Sequence, residues 1–253
     1  MSAISRRTMI TRGLVAAAAG LPGIAAAARI ADRYGLIPPD HGGLYGAGET
    51  LTYAAHRLLT LHQPLAREFD RSQISRVAPV NGDPPDSDDY QQLLRRNFVD
   101  WRLEVDGLVA RPSSFSLDEL KRMPPRSHIT HQACEEGWSF IAEWTGVPLS
   151  DILARAGLSP RAKYVVLYPF DDFWDSIDLA DALHPQTLVA YGMNGRELPT
   201  GHGAPVRLRV TRQLGYKSVK YLSRITAVET LAEVGDGQGA GAVAYGYSWY
   251  AGI

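Results

Sequence analysis

The chain has 253 residues, 45% hydrophobic and 21% charged, with 24 Gly and 16 Pro, which describes a globular protein and not a disordered or fibrous one. Lys plus Arg number 26 against 27 Asp plus Glu, a net charge of -1, so nothing indicates the basic surface that nucleic acid requires. A single cysteine, Cys134, excludes an intrachain disulfide and any multi-cysteine zinc or iron–sulfur site; no C-x-x-C-H motif is present for covalent c-type haem.

Residues 1–12 carry Arg6, Arg7 and Arg12 and no acid, and the uncharged, Ala-rich stretch from Gly13 to Ala28 follows. A charged start, a short apolar stretch and an A-x-A-like end predict a signal peptide over residues 1–28. The stretch is too short and too weakly apolar for a membrane span. Arg6-Arg7, set between Ser5 and Met9-Ile10, resembles the twin-arginine export signal. That resemblance implies a periplasmic protein, carried across the membrane already folded.

Residues 29–79 read as a helical but irregular segment, with one apolar stripe along Tyr53-Ala54-Ala55-His56-Arg57-Leu58-Leu59. Asn81-Gly82-Asp83-Pro84-Pro85 and Asp86-Ser87-Asp88-Asp89 read as loop, either a linker or a binding loop. From residue 80 to 253 the chain is expected to form one domain. Trp101, Leu103 and Val105 alternate as a strand. Ser116-Leu117-Asp118-Glu119 is a capping box that starts a short helix, which Pro124-Pro125 stops. Ser127–Cys134 reads as strand, and Pro148–Ala156 as a helix closed by Gly157. Further strands are expected at Tyr164–Leu167, Trp174–Leu179, Thr187–Tyr191, Val206–Val210 and within Val219–Leu231, with a turn at Asn194-Gly195. Many short strands with few short helices predict a β-rich α+β fold, not a doubly wound sheet. No G-x-G-x-x-G or P-loop suggests a nucleotide.

Two clusters carry candidate chemistry. Around Cys134 the sequence reads His128-Ile129-Thr130-His131-Gln132-Ala133-Cys134-Glu135-Glu136-Gly137-Trp138-Ser139. A lone cysteine is ordinarily a small buried residue. Three functional readings stand beside that one. As a nucleophile the thiol needs a histidine base, and His131, three residues away on a strand, lies on the opposite face. A zinc site of His128, His131 and Cys134 meets the same alternation problem. The third reading is a single thiolate ligand to a cofactor metal whose other ligands the cofactor supplies. The second cluster is His202-Gly203-Ala204-Pro205-Val206-Arg207 with Gly215-Tyr216-Lys217-Ser218-Val219-Lys220. Taken singly, its cations read as solvated residues on exposed-edge strands. Together they supply imidazole, guanidinium, ammonium, hydroxyl and free amides, the means of holding a phosphate-like anion.

These runs, with Gly146-Val147-Pro148-Leu149, Ala182-Leu183-His184-Pro185 and Ala190–Gly195, resemble the sulfite-oxidase-fold molybdenum enzymes. The similarity is to the bacterial branch of periplasmic methionine sulfoxide reductase catalytic subunits. It implies a β-rich sulfite-oxidase-type molybdopterin-binding fold and a molybdenum–molybdopterin cofactor with Cys134 as the protein's metal ligand. His202, Arg207, Ser218, Val219 and Lys220 match cofactor-contacting positions, and Asn81 and Asp172 are further carry-overs, the latter within Pro169-Phe170-Asp171-Asp172. Sulfite oxidases of this fold carry arginines just after the metal cysteine, whereas Glu135 and Glu136 follow Cys134 here. Carboxylates beside the metal repel a dianion by about 1–4 kcal/mol per close pair.

The expected activity is therefore oxygen-atom transfer, favoured as reduction of a small or protein-bound S-oxide or N-oxide. Electrons are expected from another protein, a membrane haem protein or a soluble cytochrome. The alternatives are sulfite-oxidase-like oxidation of a small sulfur compound, a non-catalytic module that binds an anionic cofactor, and a thiol hydrolase. Tyr245, Tyr247, Trp249 and Tyr250 are read as core or interface in preference to substrate pocket.

Overall fold

The computed structural model describes residue 36, residues 47–60 and residues 65–253. The expected signal peptide, residues 1–28, lies outside the described residues. Helices α1 (Ala47–Thr60) and α2 (Asp88–Arg95) precede β1 (Arg102–Gly107), β2 (Ser113–Ser116), α3 (Leu117–Arg122), β3 (Arg126–Ala133) and β4 (Ser139–Pro148). Next come α4 (Leu149–Ala156), β5 (Tyr164–Pro169), β6 (Asp175–Asp178), α5 (Leu179–Ala182) and β7 (Leu188–Met193). The strands finish with β8 (Arg196–Glu197), β9 (Arg207–Arg209) and β10 (Leu222–Val228).

The strands build two sheets. The first runs β2-β1-β10-β5-β6, with β1 and β10 parallel and the other pairs antiparallel. The second runs β3-β4-β7-β8, with β9 also on β7, and is antiparallel throughout. Leu103 and Val105 of β1 turn inward while Arg102 and Glu104 face solvent, the alternation visible in the sequence. They join Ile225 of β10, Val147 of β4, Val189 of β7 and Leu208 of β9 in one cluster with Ile152 and Leu153 of α4. The two sheets thus share a core.

Local signals fall where the sequence places them. Ser116 Oγ accepts the Glu119 N–H at 3.2 Å and a Glu119 carboxylate oxygen accepts the Ser116 N–H at 2.7 Å, starting α3. Gly157 ends α4 at φ 74°, and Asn194-Gly195 turns between β7 and β8 at φ 52° and 75°.

Several elements differ from expectation, the short α5 and β8 among them, which were not expected as a helix and a strand. The loop expected through Asp89 ends at Ser87, because α2 begins at Asp88 with both aspartates in its first turn, where carboxylates favour the helix. β4 was not predicted, since residues on both its faces are buried and alternation is lost. β2 is half-buried along its length and gives no pattern either. The downstream basic cluster is not a pair of solvated edge strands: Arg207 is 2% and Lys217 0% exposed.

The segment before residue 80 is stitched to both sheets. Phe69 and Ser75 donate backbone bonds to Ile129 and Ile141 at 2.9 Å, and Tyr53 of α1 donates to Asp178 Oδ2 at 2.8 Å.

Candidate functional site

β3 delivers Cys134 into a turn that its own backbone closes. The Cys134 N–H donates to Trp138 O at 2.9 Å, and Gly137, at φ 91°, donates back to Cys134 O at 3.1 Å. The thiol is buried, and burial pushes it up to about 11; the Glu136 amide pulls the other way and Glu135 adds to the rise. Its Sγ donates towards Glu135 Oε2 at 3.4 Å, and Asn81 Nδ2 approaches it at 3.8 Å. Such a thiol is no activated nucleophile. His131 is exposed and His128 bonds Glu68 at 2.8 Å, so neither the local dyad nor the zinc triad forms. Among the described residues no group of three or more His, Cys, Asp or Glu side chains is arranged to hold a metal.

Beside Cys134 lies a floor of buried cations. Arg207 donates to His202 O at 3.0 Å, Ser218 O at 2.6 Å and Leu208 O at 3.2 Å, with its guanidinium over the Trp144 ring. Arg209, two residues on and on the same face, donates to Val210 O at 2.8 Å and His131 O at 2.7 Å. Burial lowers Arg207 to about 10 and Arg209, with Arg207 nearby, to about 9. Lys220 Nζ donates to Asn81 O at 2.6 Å and Gly201 O at 3.2 Å; burial and Arg207 bring it to about 8, against Asp171 and Asp83. His202 is held neutral, burial, Arg207 and Lys220 together lowering it to about 4. Ser218 Oγ accepts the Val210 N–H at 3.0 Å, locking the turn to β9. Gly203, at φ 107°, leaves room for the Lys220 stem, which a Cβ would meet at 2.8 Å. Tyr90 of α2, fully buried, donates to Ala204 O at 2.7 Å and fixes that loop.

Cys134, His202, Arg207, Ser218 and Lys220 open onto a cavity of about 350 Å³, which Arg209 backs without lining it. Asn81, Cys134, His202, Arg207, Ser218, Val219 and Lys220 are brought together along its lining. Asp172 does not. It is exposed on a bend whose other carboxyl, Asp171, accepts the Phe173 N–H at 3.0 Å and lines the cavity instead. Tyr245 and Tyr247 also line the cavity, while Trp249 and Tyr250 are core, so the expectation for the aromatic tail holds for the last two only. Gln132, Asp171 and the floor's Arg209 were missed. Strand alternation places Gln132 with Cys134 and Arg209 with Arg207, and would have found both.

The arrangement fits an anionic group with its own metal ligands. Arg207 and Arg209 are 2% and 1% exposed, and their guanidinium bonds end on backbone carbonyls and Thr130, not on carboxylates. Buried cations without a counter-charge are costly, and a phosphate bound in the cavity beside Arg207, the one of the two that lines it, lowers that cost. Cys134 adds one soft donor at the edge of the same cavity.

The family model of the oxidoreductase molybdopterin binding domain matches residues 91–233. The chain belongs to this family. A protein-methionine-sulfoxide reductase subunit, YedZ1, of Azospira oryzae is 40% identical to this molybdopterin-binding chain over 161 residues, 64% of the chain and 60% of the relative. A protein-methionine-sulfoxide reductase catalytic subunit, MsrP, of Xanthomonas campestris pv. campestris is 37% identical over 149 residues, 53% of the chain and 46% of the relative. The chain therefore spans about half the length of these curated relatives. Among solved structures, the sulfane dehydrogenase SoxCD of Paracoccus pantotrophus superposes with a TM-score of 0.50 at 27% identity, over 52% of this chain and 39% of that one. The two-sheet architecture is thus a sulfite-oxidase-type molybdopterin-binding fold.

Proposed function

We propose that the protein is an exported molybdenum oxidoreductase that removes the oxygen atom from S-oxide or N-oxide substrates, small or protein-bound. The observation that carries the reading is Cys134 at the cavity edge with the carboxyl groups of Glu135 and Glu136 beside it, where a site for sulfite would place cations. The names of the two methionine-sulfoxide reductase relatives support it. An S-oxide carries no charge for those carboxylates to repel.

When bound, the molybdenum–pterin group supplies two-electron redox chemistry at a metal that accepts or yields oxygen. The chain's residues do the rest. Cys134 Sγ is the protein ligand, and its proton must leave for ligation; Glu135 Oε2, at 3.4 Å, is placed to take it. Arg207 and Lys220 hold the anionic end by charge, and Ser218 and Val219 by their turn. His202, neutral, fills the wall without adding charge. Asn81 steadies the sulfur through its amide. Phe173 stacks on Tyr245 and Tyr216 on Tyr247, an aromatic rim suited to the apolar flanks of a thioether oxide. Reduction of such an oxide takes two electrons and two protons and releases water. The electrons come from an external carrier, a membrane haem protein or a soluble cytochrome, in the compartment to which the twin-arginine segment directs the chain.

Elemental mass spectrometry for molybdenum, with fluorescence of the released oxidised pterin, tests the cofactor. Oxidation of a reduced dye by methionine sulfoxide or trimethylamine N-oxide tests the direction. One metal and one pterin per chain with oxide-dependent turnover is expected. Turnover of sulfite with an electron acceptor, and none of oxides, replaces this reading with oxidation of a sulfur compound, which the similarity to SoxCD favours. Absence of both metal and pterin, from a host that makes them, leaves an anion-binding module.

A further inference from the structure

Gln132 is a polar side chain of the cavity wall whose role the site as described leaves open. It stands on β3 two residues before Cys134, so both side chains emerge on one face, and it lines the cavity. Gln132 is 6% exposed, and its Oε1 has no hydrogen-bond partner. A buried acceptor left unpaired is a debt that a native fold seldom carries without a purpose. Gly215 faces the same carboxamide: a Cβ there would stand 3.5 Å from Gln132 Nε2 and 3.2 Å from Ala133 O, so the missing side chain keeps the space beside it open.

We propose that Gln132 is a cofactor-binding residue, which pairs its carboxamide with the donor–acceptor edge of the pterin ring. The inference rests on the cofactor reading above. A carboxamide presents N–H donors and a carbonyl acceptor in one plane. Its complement is a ring edge with a donor beside an acceptor, the pairing by which Gln and Asn take the edge of adenine. The pyrimidine portion of a pterin has such an edge. A substrate oxide does not: it offers an acceptor alone and leaves Oε1 unpaired. A phosphate fails for the same reason, and Arg207 and Lys220 already serve it. The division of labour is metal to Cys134, anionic end to the cations, ring edge to Gln132.

The test compares loaded wild-type protein with Gln132→Leu and Gln132→Glu, following released pterin and molybdenum over time during dilution and gentle warming. Gln132→Leu is expected to lose pterin about tenfold faster, the loss of about 1.4 kcal/mol of binding. Its KM for the oxide, measured per loaded site, stays within about twofold. Once depleted of cofactor, it unfolds at no lower temperature than depleted wild type, because leucine removes an unpaired polar atom. Should the leucine variant not fold, the isosteric Gln132→Glu carries the test: it loses the N–H₂ and is also expected to release pterin faster than wild type. Wild-type retention with a raised KM assigns Gln132 to the substrate and overturns the proposal. A lowered unfolding temperature with unchanged retention makes it merely structural and overturns it too. Wild-type protein free of pterin defeats the cofactor reading and this one together, whereas loaded wild type with unchanged retention in both variants defeats this one alone.

Discussion

At the scale of single residues, Cys134 and His202 are equally buried and both held neutral, yet replacing them has different consequences. Cys134 is a small group at a turn whose backbone bonds do not involve sulfur. Cys134→Ala is therefore expected to abolish turnover while shifting stability by less than about 1 kcal/mol, with steady-state assay and thermal unfolding read side by side. His202 is neutral in the fold down to about pH 4, against 6.5 in an unfolded chain. Between those values the unfolded state binds a proton that the folded state refuses, so stability falls as pH drops from about 6.5 towards 4. The loss reaches on the order of 3 kcal/mol, and His202→Gln should flatten that limb of an acid unfolding series in cofactor-free protein. Most of the site is legible in the sequence because its motifs sit in one order, with Cys134 at a strand end and Gly203 and Gly215 opening turns beside the cations. Asp172, by contrast, lies outside the cavity lining. A bend with two adjacent aspartates carries no periodicity, and only the Phe173 N–H selects Asp171 as the inward one.

At the scale of elements, punctuation is more readable than burial. The reciprocal bonds of Ser116 and Glu119 make α3 predictable, and Ser116→Ala should cost about 1 kcal/mol by chemical denaturation. Strand β4 shows the other side. Phe140, Ala142, Trp144 and Val147 give it a core on both faces, so neither a two-residue nor a helical period survives in its sequence. Gly146 and Pro148, which look like breakers, are required there instead. A Cβ at Gly146 would meet Val189 O at 2.2 Å and Ala190 Cα at 2.6 Å, where β4 and β7 come together at a bulge. Gly146→Ala is expected to cost more than about 3 kcal/mol and to appear as lost folded yield. Helix α2 went unseen for a simpler reason: its first turn is aspartate, which reads as loop until a helix dipole is there to favour it.

Over the whole molecule, one buried carboxylate joins distant parts of the chain. Asp181 of α5 accepts from Arg212 at 3.0 Å and from Gln213 at 2.6 Å, with Arg57 of α1 at 3.6 Å. The segment it holds continues into Gly215–Lys217, where Lys217 donates to the fully buried Asp175 at 2.5 Å. The wall of the cavity is thereby fastened to a helix that lies outside the matched family region. Asp181→Ala takes the counter-charge from Arg212, while Arg57 keeps Asp178, and should destabilise the fold by about 3 kcal/mol, measurable as a lowered denaturant midpoint. No pattern in the sequence announces this network, since Arg57, Asp175, Asp181 and the Arg212-Gln213 pair lie far apart in the chain and only tertiary packing brings them together.

The Lys220 ammonium draws in Asn81 from 139 positions away and Gly201 from 19. Contacts across such separations form only after the intervening chain has found its place, because closing a long loop costs entropy before it returns any gain. The cavity is accordingly complete only where these separate stretches have met. Cys134 and Arg207 alone do not make the cavity, and the walls that Asn81 and Gly201 contribute belong to the folded protein. Any route that delivers the loaded molecule to another compartment must then carry it intact, with its loops already knotted by that one ammonium.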